Sequence, residues 1–166
     1  MINLLLCLTT FLVSGDIVNI AKEKQIYYNV PNKKYVVVID YSKPIDSERL
    51  YVVDMKTSTI VLKSIVSHAR NSGIEYAVNY SNEVGTLKSS LGCYKTSTTY
   101  YGDFGYSLII KGLDRENSNA EKRHIIFHSN KKVKSKWSWG CFATPESINR
   151  KLINMIKDGC LVVVVK

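Results

Sequence analysis

Two stretches of this 166-residue chain constrain its fold more than any others: residues 35–41 read YVVVIDY and residues 161–165 read LVVVV. Nearly unbroken runs of β-branched and aromatic residues suit strands buried on both faces. Neither run is long enough to cross a bilayer as a helix. Further β-rich runs lie between them, at 49–55, 59–68, 92–98, 106–111 and 124–128. Within 59–68, Ile60, Leu62 and Ser64 alternate with Val61, Lys63 and Ile65, and 54–58 reads as a hairpin connection. Close spacing with turn chemistry between predicts a mostly β fold, a sandwich or barrel.

One helix is clear. Thr144 is an N-cap residue, Pro145 suits the first helical position and Glu146 favours the positive end of the dipole. Ile148, Leu152, Met155 and Ile156 fall on one face, and Lys157 and Gly159 close the segment before the last strand. Residues 16–34 form a polar lead-in with room for a short helix. Residues 69–92, rich in Asn, Ser and Gly, make a loop long enough to expect a functional use.

The chain is 45% hydrophobic and 22% charged, which excludes disorder, collagen-like and disulfide-stapled scaffolds. Lys and Arg number 23 against 14 Asp and Glu, a net charge of +9. That balance suits a polyanionic partner: nucleic acid, an anionic membrane surface or an acidic wall polymer. At the N-terminus, the apolar run 4–13 followed by Ser14 and Gly15 has the length of a signal-peptide core, with cleavage expected before Asp16, although no Lys or Arg precedes it. A buried strand or helix is the plainer alternative. Leu4, Leu5 and Leu6 before Cys7 do not make a lipid-attachment site. Signal removal leaves Cys93, Cys141 and Cys160, an odd number that suggests a free thiol. No metal-type Cys/His spacing occurs.

His128 leaves the apolar run 124–128, and Ser138-Trp139-Gly140-Cys141 precedes the helix. A thiol becomes a useful nucleophile when a base takes its proton and a positive environment favours thiolate. His128 is the candidate base and Cys141 the candidate nucleophile. From 115 to 136 there are seven Lys/Arg against two Glu, among them Lys131, Lys132, Lys134 and Lys136. Gly140 frees the amides around it to face a developing oxyanion. A lone Cys is more often a small buried hydrophobe, and a lone His at a strand end more often structural. Cys93 and Cys160 read as buried. His68 either lines the cleft or merely ends its strand. Tyr94, Tyr100, Tyr101 and Tyr106 either make a stacking wall or serve as ordinary strand residues.

At His128-Ser129 and Ser138-Trp139-Gly140-Cys141-Phe142 the chain resembles the L,D-transpeptidase catalytic domain family, the YkuD-like enzymes. The residues 67–73, 81–83 and 89–92 resemble its murein L,D-transpeptidase branch, and 83–86 weakly resembles the family's Thr-Pro-x-Gly turn. The resemblance covers about 35–166, which divides the chain into a signal at 1–15, the lead-in at 16–34 and a catalytic domain at 35–166. It implies a mostly β fold with a C-terminal helix and final strand. It implies that Cys141 attacks a peptidoglycan stem tetrapeptide between a meso-diamino acid and terminal D-alanine. His128 is then the base, the Ser129 carbonyl orients its ring, and the amides of Trp139, Gly140 and Cys141 form the oxyanion hole. His68, Arg70, Ser138 and Trp139 are the expected substrate contacts. No metal or cofactor is implied.

Two positions depart from the family pattern. Trp139 stands where the motif has His, and Ala143 where it has Arg, leaving Arg70, Lys136 and Arg123 as candidate carboxylate partners. The expected product is a transpeptidation cross-link, with peptidoglycan stem peptides as partners. Hydrolysis by an L,D-carboxypeptidase and a non-catalytic wall-peptide module are the alternatives. An exported location in the periplasm or envelope is expected, with no membrane span after signal removal and no nucleic-acid partner. The oligomeric state is left open. Sortases place His further before Cys and use a later Arg.

Overall fold

The computed structural model describes residues 14–130 and 136–166. The apolar run expected as a signal, through residue 13, lies outside the described residues, as do Lys131, Lys132 and Lys134. Helix α1 (Ser14–Tyr27) is followed by β1 (Asn32–Asp40), β2 (Leu50–Asp54), β3 (Thr59–Ser64), β4 (Gly92–Gly102) and β5 (Gly105–Gly112). A 3-10 turn (Arg115–Asn117), β6 (Ile126–Ser129), β7 (Phe142–Thr144), α2 (Glu146–Ile156) and β8 (Cys160–Val165) complete the chain. All eight strands join one sheet in the order β3-β2-β1-β8-β4-β5-β6-β7.

The two apolar runs become neighbours. β1 and β8 pair in parallel, Val36 opposite Leu161 through Ile39 opposite Val164. Alternation then splits them between two cores. Val37, Ile39, Val162 and Val164 pack with Leu152, Ile153 and Ile156 of α2. Val36, Val38, Leu161 and Val163 pack with Ile17 and Ala21 of α1, and with Cys93 and Tyr51. Burying each such aliphatic side chain contributes roughly 1.5–3 kcal/mol, so the centre of the sheet is where its stability concentrates.

The expected mostly β architecture, with its C-terminal helix and final strand, is present. Most of the lead-in 16–34 is α1, whose Ile17 and Ala21 are buried in the domain. The helix α2 begins one residue later than expected. Pro145, with extended backbone, sits at the cap and its carbonyl accepts from the amides of Ile148 and Asn149. Thr144 instead ends β7 and turns its hydroxyl to Asn149 Oδ1 at 3.3 Å. The run 59–68 stops being strand at Ser64, because the chain beyond leaves β3 to lie beside residues 138–143.

Candidate active site

α1 covers only one half of its sheet face. Pairing fixes which residues continue that face beyond the helix: Lys95 opposite Lys111, Ile109 opposite Ile126, His128 opposite Ala143. Cys141, two residues before Ala143, is in phase with it. Phe127, Leu108 and Phe142 alternate with these residues into the opposite core. Cys141, just before β7, and His128 on the parallel β6 therefore share one face, at an edge that neither α1 nor α2 covers among the described residues.

The backbone around Cys141 is fixed from both sides. Ser67 Oγ donates to the Cys141 carbonyl at 3.1 Å and accepts from the Ala143 amide at 3.0 Å. The Ser138 amide donates to the His68 carbonyl, and the Arg70 amide to the Ser138 carbonyl, each at 2.9 Å. Gly140 holds φ at +135°, and a Cβ there would stand 2.5 Å from Ile125 Cδ1. Only glycine meets both demands without strain.

His128 is 3% exposed. Its Nδ1 lies 2.9 Å from the Ser129 carbonyl. A carbonyl only accepts, so Nδ1 carries the proton and Nε2 holds the lone pair of the neutral ring. Burial pushes its pKa down, with the Ser129 contact acting in the other direction. Phe104, at the β4–β5 turn, stacks on the imidazole with centroids 4.4 Å apart and planes at 28°.

The Cys141 thiol is half-buried and donates to the His124 carbonyl at 3.4 Å. Burial raises its pKa, while the Ile126 amide and the Arg123 charge pull it down. Arg123 is a cation whose charge reaches the thiol. Its guanidinium donates to the carbonyls of Ser81 and Lys88 and to Ser90 Oγ. The other thiols differ: Cys93 and Cys160 are buried, and burial drives them to about 11 and about 12.

Several expectations need correcting. His68 has no exposed surface. Arg49 Nη2 lies 3.0 Å from its Nδ1, and its Nε2 lies 2.9 Å from the Gly73 carbonyl. Arg49 can only donate, so both ring nitrogens are occupied and His68 braces the 69–92 loop instead of meeting a ligand. Burial and the Arg49 charge hold its pKa down. Ser138 is also buried, and its hydroxyl accepts the Gly140 amide at 3.1 Å. The Gly140 N–H is thus already committed and is not a free oxyanion donor.

The remaining residues divide. Trp139, 72% exposed, stands beside Cys141 with its indole open to solvent. Arg70 has an exposed side chain next to the same loop. Lys136 pairs with Asp46 at 2.7 Å. Tyr94 is buried with its hydroxyl on Ser90, whereas Tyr100 opposite Ser107 is on the face of Cys141. Among the described residues no group of three His, Cys, Asp or Glu side chains is arranged to hold a metal ion. Sequence reasoning missed Phe104, Ser67 and His124. The Ser67-His68 dipeptide was noticed only as a motif, and nothing in the sequence signals that a hairpin tip meets His128.

A model of the L,D-transpeptidase catalytic domain family matches residues 16–165. The chain belongs to that family. Solved L,D-transpeptidases share its fold. One from Stackebrandtia nassauensis superposes with a TM-score of 0.51 at 15% identity, over 83% of this chain and 58% of that one. A cysteine-to-serine variant of the Enterococcus faecium L,D-transpeptidase gives 0.50 at 13% identity, over 80% and 50%. The Campylobacter jejuni helical cell shape determining protein Pgp2 gives 0.55 at 12% identity, over 93% and 55%. This chain thus spans 50% to 58% of the length of those three neighbours. No curated protein matches it. Among the described residues, no helix of this L,D-transpeptidase-family domain is long and apolar enough to cross a membrane.

Proposed function

We propose that this chain is an exported peptidoglycan L,D-transpeptidase that works through an acyl-enzyme on Cys141. The observation that carries the reading is the position of Cys141, two residues before the Ala143 that pairs with His128, with His128 Nδ1 held on the Ser129 carbonyl. That contact leaves Nε2 as the acceptor for a proton.

In the reaction, the thiol turns from the His124 carbonyl towards His128 and gives its proton to Nε2. The thiolate attacks the carbonyl that joins the diamino acid to terminal D-alanine. The C–N bond breaks, D-alanine leaves with the proton from the imidazolium, and a thioester remains on Cys141. An amine of a neighbouring stem then attacks the thioester and restores the thiol; water in its place gives the carboxypeptidase product. Arg123 stabilises the thiolate through its charge. The fixed Cys141 backbone keeps the sulfur in line, and Trp139 and Arg70 are the exposed groups best placed to meet the stem.

The test is intact mass. The full chain incubated with a disaccharide tetrapeptide or a carbapenem should gain an acyl adduct on Cys141. Cys141→Ala should gain none, and Cys93→Ala should retain it. A well-folded protein that gains no adduct from either compound overturns the reading. Product masses separate cross-linking from hydrolysis, and unchanged tetrapeptide binding without turnover indicates a wall-peptide module.

A further inference from the structure

We propose that Phe104 is a positioning residue for the base: its ring, laid across His128 by the β4–β5 hairpin, keeps water off the imidazole and fixes the plane in which Nε2 points. The inference rests on the acyl-enzyme reading above, to which it adds a residue that acts through His128. Phe104 joins neither of the two cores. It is 40% exposed, whereas His128 beneath it is 3% exposed. The phenyl ring thus takes the solvent contact that the imidazole would otherwise have.

The hairpin is shaped for this contact. Gly102 pairs with Gly105, so Asp103 and Phe104 form a two-residue tip. Gly105 holds φ at +79°, a left-handed value that glycine adopts without strain. Between the pairs Thr96–Ile110 and Thr99–Leu108, β4 carries one residue more than β5, and such a bulge bends its strand. It also resets the alternation, so that Lys95 before it and Tyr100 after it share the face of His128. A Cβ at Gly102 would stand 2.7 Å from Cε2 of Tyr100, whose ring therefore lies against the base of the tip. Ser107 Oγ donates to the Gly105 carbonyl at 3.1 Å and ties the other strand to it.

Two restraints then act on one ring. The Ser129 carbonyl holds Nδ1 at 2.9 Å but leaves the imidazole free to tilt about that contact. Phe104, with centroids 4.4 Å apart and planes at 28°, removes the tilt. Stacking has two opposed effects on protonation. The π face attracts the charged form, while the water it displaces is what that form needs. For a side chain this buried the loss of water is the larger effect, and His128 is held below its ordinary range, mainly by burial. Titratable groups on the elements around it are Tyr100 and Asp103 on the hairpin and Cys141 before β7, with Arg123 acting on that thiol. The helix α2, which carries Glu146 and Arg150, packs on the opposite face. Burial and the Ser129 carbonyl are the causes of the His128 shift, so the cover over the ring decides it.

The test compares the full chain with Phe104→Ala and Phe104→Tyr, melting temperature confirming that each folds. NMR titration reads the His128 ring directly, and His68 and His124 are the only other histidines to assign. Phe104→Ala should raise the His128 pKa towards the usual 6.5, and Phe104→Tyr should leave it in place. Acylation by a carbapenem reads the positioning. At pH 8, where the ring is neutral in every chain, Phe104→Ala should react about tenfold more slowly because its plane is no longer held. At pH 6 the deficit should widen by up to about fourfold, as the uncovered ring takes up protons. Phe104→Tyr should restore both rates. Should Phe104→Ala fail to fold, Phe104→Leu keeps apolar bulk without a flat ring, and the same slowing at pH 8 is expected of it. An unchanged or lowered His128 pKa in Phe104→Ala overturns the inference. So does a wild-type rate at pH 8 in the variant without the ring, or a Phe104→Tyr chain as slow as Phe104→Ala. The titration is independent of turnover: no adduct on the wild type defeats the acyl-enzyme reading, whereas normal adduct formation with a titration indifferent to Phe104 defeats only this inference.

Discussion

One face of the sheet has two halves. Under α1 it presents Val36, Val38, Leu161, Val163 and Cys93, sealed from water. Beyond the helix the same face presents Ile109, Ile126, His128 and Cys141, with the Phe104 ring stacked on His128. The contrast shows how one pleated surface serves two ends. Where a helix covers it, burial turns a cysteine into an inert hydrophobe, with Cys93 pushed up to about 11. In the other half Cys141 is only partly buried, and Arg123 and the Ile126 amide oppose the effect of burial on its thiol. Chemistry and stability therefore separate across the face, and substitutions in each half should hit one without the other.

The largest effect is expected in the open half. His128→Ala should lower the acylation rate by roughly 10²–10⁴-fold, the usual contribution of a positioned acid–base group. Stopped-flow acylation by a carbapenem measures it. A rate within a few-fold of wild type would break the contrast at its functional end.

In the covered half, Leu161→Ala should cost about 2–5 kcal/mol of stability. Urea denaturation gives that loss. At a temperature where the variant remains folded, its acylation rate should stay at the wild-type value. A slowed rate in folded protein would mean that the two halves are coupled.

Acid provides a third handle. Both His128 and His68 have pKa values held below the usual 6.5, mainly by burial. The unfolded chain therefore takes up these protons first, and between the unfolded and folded values it binds more of them. Stability is full above about pH 6.5 and falls as pH drops below it, by at most ~1.4 kcal/mol per pH unit for each group. Denaturation at pH 7.5, 6.5 and 5.5 traces the loss. His68→Gln should flatten this slope in part, and an unchanged slope would mean that His68 is not held neutral.

The smallest effect belongs to the exposed pair between Lys136 and Asp46. Lys136→Ala should change stability by roughly 0.2–1 kcal/mol, and less at high salt. A larger change, measured by thermal melting, would show that this loop contributes to the fold as well as flanking the site.

Legibility followed the range of the interactions. α2 was readable from its apolar spacing and its Pro145-Glu146 start, missing only the register of the cap. α1 was barely readable, because Ile17 and Ala21 are buried while Ile26 and Tyr27 near its end are exposed, so no clean apolar stripe marks it. His128 and Cys141 stood out through short motifs. His68 misled, since its neighbours Ser67 and Arg70 resemble site residues while Arg49, far back in the chain, occupies its ring. Phe104 gave no signal at all, because only the β4–β5 register brings that turn over His128.

Local order was written into the chain by itself: apolar runs that have to become buried strands, a capped amphipathic helix, and a cysteine and histidine at the ends of such elements. Their physical cause is side-chain alternation and periodicity, which act over a few residues. Which histidine is sealed and which has a free nitrogen, which amide is already donated, and which half of a face stays open were decided only when distant strands met. Those outcomes depend on contacts between residues tens of positions apart, and no local pattern encodes them.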